Sequence, residues 1–185
     1  MLIMRKKTII KLILIPLGVL GLVAALFASY ILLLSWTWTS GDIPHKSDEE
    51  LIANFQAHRS EFNQLLEMIS QDKGLQRVDD NWTRPENPQT IGISQERIDA
   101  YRKLFGSAGV PRGFYAFHDE GVFEFIASAQ GLAVSGSSKG YIYSTNPLTR
   151  VVANLDNYHL LENKPYGYPI YRHIEGNWYL FFDAD

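Results

Sequence analysis

Between Leu12 and Leu34 the chain reads LILIPLGVLGLVAALFASYILLL, 23 residues without a single charge. As a helix rising 1.5 Å per residue, this run spans roughly 35 Å, enough for a hydrocarbon core of about 30 Å. Pro16 lies near its start, where a helix in lipid tolerates it. Trp36 and Trp38 come just after the run, as aromatic rings do at a headgroup interface. The segment predicts one transmembrane helix, so any folded domain must be built from the rest of the chain. A secretory apolar core is shorter, about 7–15 residues, and ends at a small-x-small site. Here the run continues into YILLL, and the chain has no cysteine for a lipid attachment. An uncleaved anchor fits better than a leader.

The flanks give the orientation. Arg5, Lys6, Lys7 and Lys11 precede the run with no acidic residue among them, whereas Asp42, Asp48, Glu49 and Glu50 come after it. The positive-inside rule then divides the chain into a cytoplasmic basic segment (1–11), the span (12–34), a linker (35–46) and an extracytoplasmic domain (47–185). With four of the 17 basic residues on the inner side, the outer part sets 13 cations against 20 anions. That surplus of negative charge argues against a nucleic-acid partner. Within the anchor, Gly21, Ala25 and Ser29 recur every fourth residue. Such a stripe of small residues lets two helices approach closely and could support a homo-oligomer, although glycine and alanine are common in membrane helices anyway.

The outer domain opens with a helix signal. SDEE is a capping box, with Ser47 as N-cap and Glu50 three residues later. Leu51, Phe55, Phe62, Leu65 and Ile69 continue at helical spacing up to a stop at Gly74. His58 falls in the gap of that seam and reads as a hydrogen-bonded rim residue more readily than as a ligand. LQRVD suggests a short strand, and DNWTRPENPQT reads as a loop. The loop contains the sequon Asn81-Trp82-Thr83, too short a pattern to carry weight by itself. A second helix begins at Ser94, with Ile93 and Ile98 as a hydrophobic staple, and ends at Gly106. From Gly113 onward the pattern is of strands: GFYAFH, VFEFIA, LAVS, YIYS, RVVANL, IYRHI and WYLFF. In the last pair Ile170, Ile174, Trp178, Leu180 and Phe182 share a face with Arg172, and Tyr171, His173, Tyr179, Phe181 and Asp183 share the other. The expected fold class is α+β: a transmembrane helix, then two helices packed on an antiparallel, meander-like sheet.

One motif invites a chemical reading. GSSKG, residues 136–140, matches the G-x-S-x-G pattern of a nucleophile elbow centred on Ser138. An elbow needs a strand running sharply into a helix, but the residues after this motif, YIYSTNP, have strand composition. The motif also fails as a phosphate loop, because Lys139 precedes Gly140 and no helix comes after it. A hairpin loop with glycines at positive φ accounts for every residue. Serine–lysine chemistry by Ser137 or Ser138 with Lys139 is the remaining catalytic idea. The five histidines are scattered without metal-ligand spacing, and no cofactor motif is present. A distant carboxylate pair of the glycosidase type stays open, because such groups can meet only in space. Tyrosines crowd the C-terminal half. Those on strands read as packing, whereas Tyr166 and Tyr168, set between Pro165 and Pro169, read as exposed contacts.

GLAVSGSSKGYIYS, YRHIEGNWYLFFDAD and a helix of the FQAHRSEFNQLLEMI type together resemble small uncharacterised bacterial proteins with an N-terminal anchor. The resemblance implies a bacterial source, and with it a periplasmic domain on the inner membrane, but no activity. The sequence names no catalytic residue. It predicts a membrane-tethered binding or accessory domain with a protein or envelope partner, of the kind an immunity-type inhibitor or envelope-complex subunit provides. Its candidate contacts are Ser137, Ser138, Lys139, Tyr166 and Tyr168. An atypical hydrolase at Ser137–Lys139 is the alternative.

Overall fold

A computed structural model of the chain describes residues 27–31, 45–132, 135–156 and 168–184. Residues 27–31, in the unit that ends at Ile43, are helical and exposed, and Ser29 is among them. The rest of the expected span, with Gly21 and Ala25, lies outside the described residues, as do Trp36, Trp38 and Tyr166. Among the described residues no helix is long and apolar enough to cross a membrane.

The second unit, Pro44–Asp185, has an α+β fold with a seven-stranded antiparallel sheet. Its first helix, α1 (Asp48–Ala57), starts as the capping box dictates. The Ser47 hydroxyl accepts from the Glu50 N–H, while the Glu50 carboxylate accepts from the Ser47 N–H. Three acidic residues in the first turn complement the positive end of the helix dipole. The expected continuous helix is broken at His58 (φ −118°, ψ 28°), and α2 (Arg59–Gln71) resumes on the other side. His58 is half-buried beside Glu61. The break lets Phe55 and Phe62, seven residues apart, converge on one aromatic cluster, with their ring centroids 5.1 Å apart.

After α2 come β1 (Arg77–Val78) and β2 (Thr83–Arg84), a 3-10 turn over Pro88–Ile91, and α3 (Gln95–Ala108). The segment expected to be all loop thus supplies an edge strand. Ser94 caps α3 as expected. The helix runs past Gly106 to Gly109, whose left-handed backbone (φ 70°) makes the stop. The strands β3 (Phe114–Phe117), β4 (Val122–Leu132), β5 (Ser135–Ser144), β6 (Ile170–Glu175) and β7 (Trp178–Ala184) complete the sheet in the order β2-β1-β3-β4-β5-β7-β6. The order departs from a meander at its end, because β5 pairs with β7 and leaves β6 at the edge. RVVANL, expected as a strand, contributes a single bridge from Val151 to Tyr171.

GSSKG is not a hairpin loop. It lies inside β5, paired on one side with β4 and on the other with β7. That strand, β5, already begins at Ser135, and β4 ends at Leu132. Neither Gly136 nor Gly140 has a positive φ. Gly140 is required for closeness instead, since a Cβ there would stand 2.1 Å from the Phe125 carbonyl oxygen. That approach adjoins the bulge where β4 slips between Ile126 and Ser128.

One face of the sheet joins the helices in the main core. Phe62 of α2 meets Phe125, Tyr141 and Trp178. Tyr141 is fully buried, and its hydroxyl donates to the Leu51 carbonyl and accepts from the Asn54 amide. Burial pushes its pKa up to about 12, a packing role throughout. The alternation read from the last hairpin holds. Ile170, Trp178 and Leu180 face the core, whereas Phe181 joins Ile126 and Ile142 in a small cluster on the opposite face.

Candidate functional site

Strand alternation divides the candidate residues of β5 between the two faces of the sheet. Lys139 points towards α1 and is buried, 2% exposed, whereas the sequence reading makes it a contact residue on a hairpin loop. Its ammonium lies 2.7 Å from Asp48 Oδ1 and 2.5 Å from Asp156 Oδ1. Arg172 reaches the other Asp48 oxygen at 3.0 Å, and the Leu155 N–H donates to that oxygen. The Asp48 N–H in turn donates to Asp156. Burial would raise the Asp156 carboxyl, but the hydrogen bonds from Lys139 and Asp48 carry it below its ordinary value. An ammonium held between two carboxylates has no lone pair to take a proton from serine. The cluster fastens the start of α1 to the sheet and to the segment after β5.

Beside it, His45 sits between two hydroxyls, Nε2 2.8 Å from Ser137 Oγ and Nδ1 2.6 Å from Ser128 Oγ. Burial, then the nearby Lys139 charge, lowers its pKa, which keeps the ring neutral. Both ring nitrogens are taken by hydroxyls, so among the described residues no carboxylate holds that ring as a triad acid would.

The opposite face, on which none of α1, α2 and α3 packs, carries the more pronounced site. Strand register sets Arg77, Tyr115 and Glu124 side by side on β1, β3 and β4. Ser138 and Asp183 are direct partners on β5 and β7. Together with Trp82 and Arg112 these residues line a cleft of about 390 Å³. The Arg77 guanidinium stacks 3.7 Å from the Tyr115 ring centroid and 5.3 Å from that of Trp82. Its Nη2 donates to Asp79 and to the Arg112 carbonyl, while Nε and Nη1 are buried with no partner among the described residues. Burial would raise the Asp79 carboxyl, yet the Arg77 hydrogen bond and the Asp80 N–H bring it below its usual value.

The other end of the cleft is acidic. Burial first, and then the Asp183 charge, push Glu124 up to about 7, against the opposing pull of Arg77. Tyr171 is raised to about 12 by burial and by the same two carboxylates. The cleft therefore has a cationic end with unused donors, an acidic end that can hold or release a proton near neutrality, and aromatic surface between them. Such convergence of a few polar groups in a partly apolar hollow is the usual form of a ligand site.

Of the expected contacts, Ser138 lines this cleft, and Ser137 joins it in a shallower hollow of about 200 Å³ beside Asp183. Lys139 faces away. Tyr168 is exposed, 58%, and packs 4.4 Å from Arg150, clear of both hollows. Sequence reasoning missed Arg77, Arg112, Tyr115 and Glu124. Only alternation on the last hairpin, which set Asp183 apart from the core face, hinted at this surface. Among the described residues no group of three His, Asp or Glu side chains is placed to hold a metal ion. No protein-family model, curated protein or solved structure matches the chain.

Proposed function

We propose that this chain is a membrane-tethered, extracytoplasmic binding domain that holds a protein or envelope component at the open face of its sheet. The tether and its orientation rest on the Leu12–Leu34 run and the basic residues before it. The observation that carries the binding site is Arg77, a buried guanidinium with two unused donors at the wall of a cleft. Leaving buried donors unpaired costs about 1–3 kcal/mol, a cost that an arriving acceptor removes. A photo-crosslinking residue at Ser138, in the full chain in native membranes, tests the reading. Adducts from Ser138, and none from the exposed Ser107 on α3, support it. Equal adducts from both positions, or none from Ser138, refute it.

A second reading, hydrolysis at Ser137, draws on one observation, the neutral His45 ring 2.8 Å from its hydroxyl. A serine-reactive phosphonate that labels the chain, but not its Ser137→Ala or His45→Ala variants, would favour it. Lack of labelling removes it.

A further inference from the structure

We infer that the group received by the open-face cleft is a small zwitterion, a short peptide with both its α-ammonium and its α-carboxylate free. The inference rests on the binding reading above and narrows its ligand.

Three features set the chemistry. First, the cleft separates charge. Arg77 and the half-exposed Arg112 stand at one end and share Asp79, so that end keeps a net positive charge. Glu124 and Asp183 stand at the other end, close enough that the Asp183 charge raises Glu124. An anion alone would satisfy the arginines but face the carboxylates, and a cation alone would face the reverse. Second, Arg77 Nε and Nη1 lack acceptors among the described residues. Either donor can take one oxygen of a carboxylate, since both bidentate edges of the guanidinium include Nη2, which Asp79 and the Arg112 carbonyl already occupy. Trp82, 41% exposed, lies over the same guanidinium, 5.3 Å from its central carbon to the ring centroid. Third, the distance fits. Arg77 and Glu124 are two strand spacings apart with Tyr115 between them, about 10 Å at the backbone. The Arg77 guanidinium already leans over Tyr115 and shortens that gap. The charged ends of an extended dipeptide lie roughly 7 Å apart.

A neutral sugar also stacks on aromatic rings and accepts from arginine, so it is the discriminating competitor. Titration calorimetry of the full chain in nanodiscs uses four probes: Ala-Ala, N-acetyl-Ala-Ala, Ala-Ala amide and glucose. Ala-Ala is expected to bind, with about a tenfold loss on capping either end and no heat from glucose. Glu124→Gln should weaken Ala-Ala while leaving the amino-capped peptide unchanged, and Arg112→Gln should do the converse for the amide. Equal binding of capped and free peptides, preference for glucose, or no binding of any probe overturns the inference. If the Ser138 crosslink persists after such a result, the binding reading stands with a different ligand. If it is also absent, both fall.

Discussion

The Lys139 ammonium lies 2.7 Å from Oδ1 of Asp48, the first residue of α1, and the two side chains are 2% and 0% exposed. Removing one member of a buried ion pair leaves the other charge without compensation, which costs about 3–5 kcal/mol. Lys139→Met should therefore lower the melting temperature by roughly 10 °C. Asp48→Asn should also destabilise, since it leaves Lys139 with Asp156 alone and Arg172 with the exposed Glu49 alone. Ser138→Ala, on the opposite face of the same strand, should leave the transition within about 0.5 kcal/mol of the parent. Calorimetry of the three variants measures the difference.

Two glycines should respond in opposite ways to alanine. At Gly140 the added Cβ meets the Phe125 carbonyl at 2.1 Å, so Gly140→Ala must push β4 and β5 apart, at about 1–3 kcal/mol or more. At Gly106, inside α3, nothing lies within 4 Å of the new methyl. There Gly106→Ala should stabilise the domain by about 0.5 kcal/mol through helix propensity. Chemical denaturation reads both values.

Glu124 gives stability a specific pH dependence. The fold holds its proton up to about pH 7, whereas an unperturbed glutamate releases it near 4.5. Between those values the native state binds more protons than the unfolded chain, so the contribution of this group is greatest below pH 4.5 and falls as pH rises through 7. The loss attributable to it is on the order of 2–3 kcal/mol. Asp183 on β7, Glu120 before β4 and Arg77 on β1 set the local field, with Tyr171 on β6 facing the same charges. Glu124→Gln should flatten this part of the curve, as urea midpoints at pH 5, 6 and 7 would record.

The sequence made local signals legible and spatial ones hard to read. Capping at Ser47 and Ser94 depends on residues three apart, and the faces of the last hairpin come from strict alternation. All of these are set within a few residues, and they match the structure. The break at His58 was hidden because both halves of the helix keep the same apolar spacing across it. GSSKG misled for a related reason. Its glycines suggested a turn, but the constraint on Gly140 comes from the Phe125 carbonyl on the neighbouring strand. The cleft was least legible of all. Arg77, Glu124 and Asp183 come from three strands far apart in sequence, and only the register brings them together.

The proposed membrane anchoring and its orientation allow a clean test because the chain contains no cysteine. A membrane-impermeant maleimide applied to intact cells should label Ser107→Cys and leave Thr8→Cys unlabelled until the cells are opened. The reverse pattern would invert the proposed topology, and labelling of neither or of both in intact cells would also contradict it.

The central claim, that the open face of the sheet is where a ligand sits, is tested most directly by monitoring the indole N–H resonance of Trp82. The full chain in micelles would be titrated with Ala-Ala and observed by NMR. Saturable movement of that resonance, together with the amides of Tyr115, Glu124 and Ser138 and with Trp178 unmoved in the core, is the predicted result. A silent Trp82, or shifts gathered on α1 and α2 instead, would contradict it.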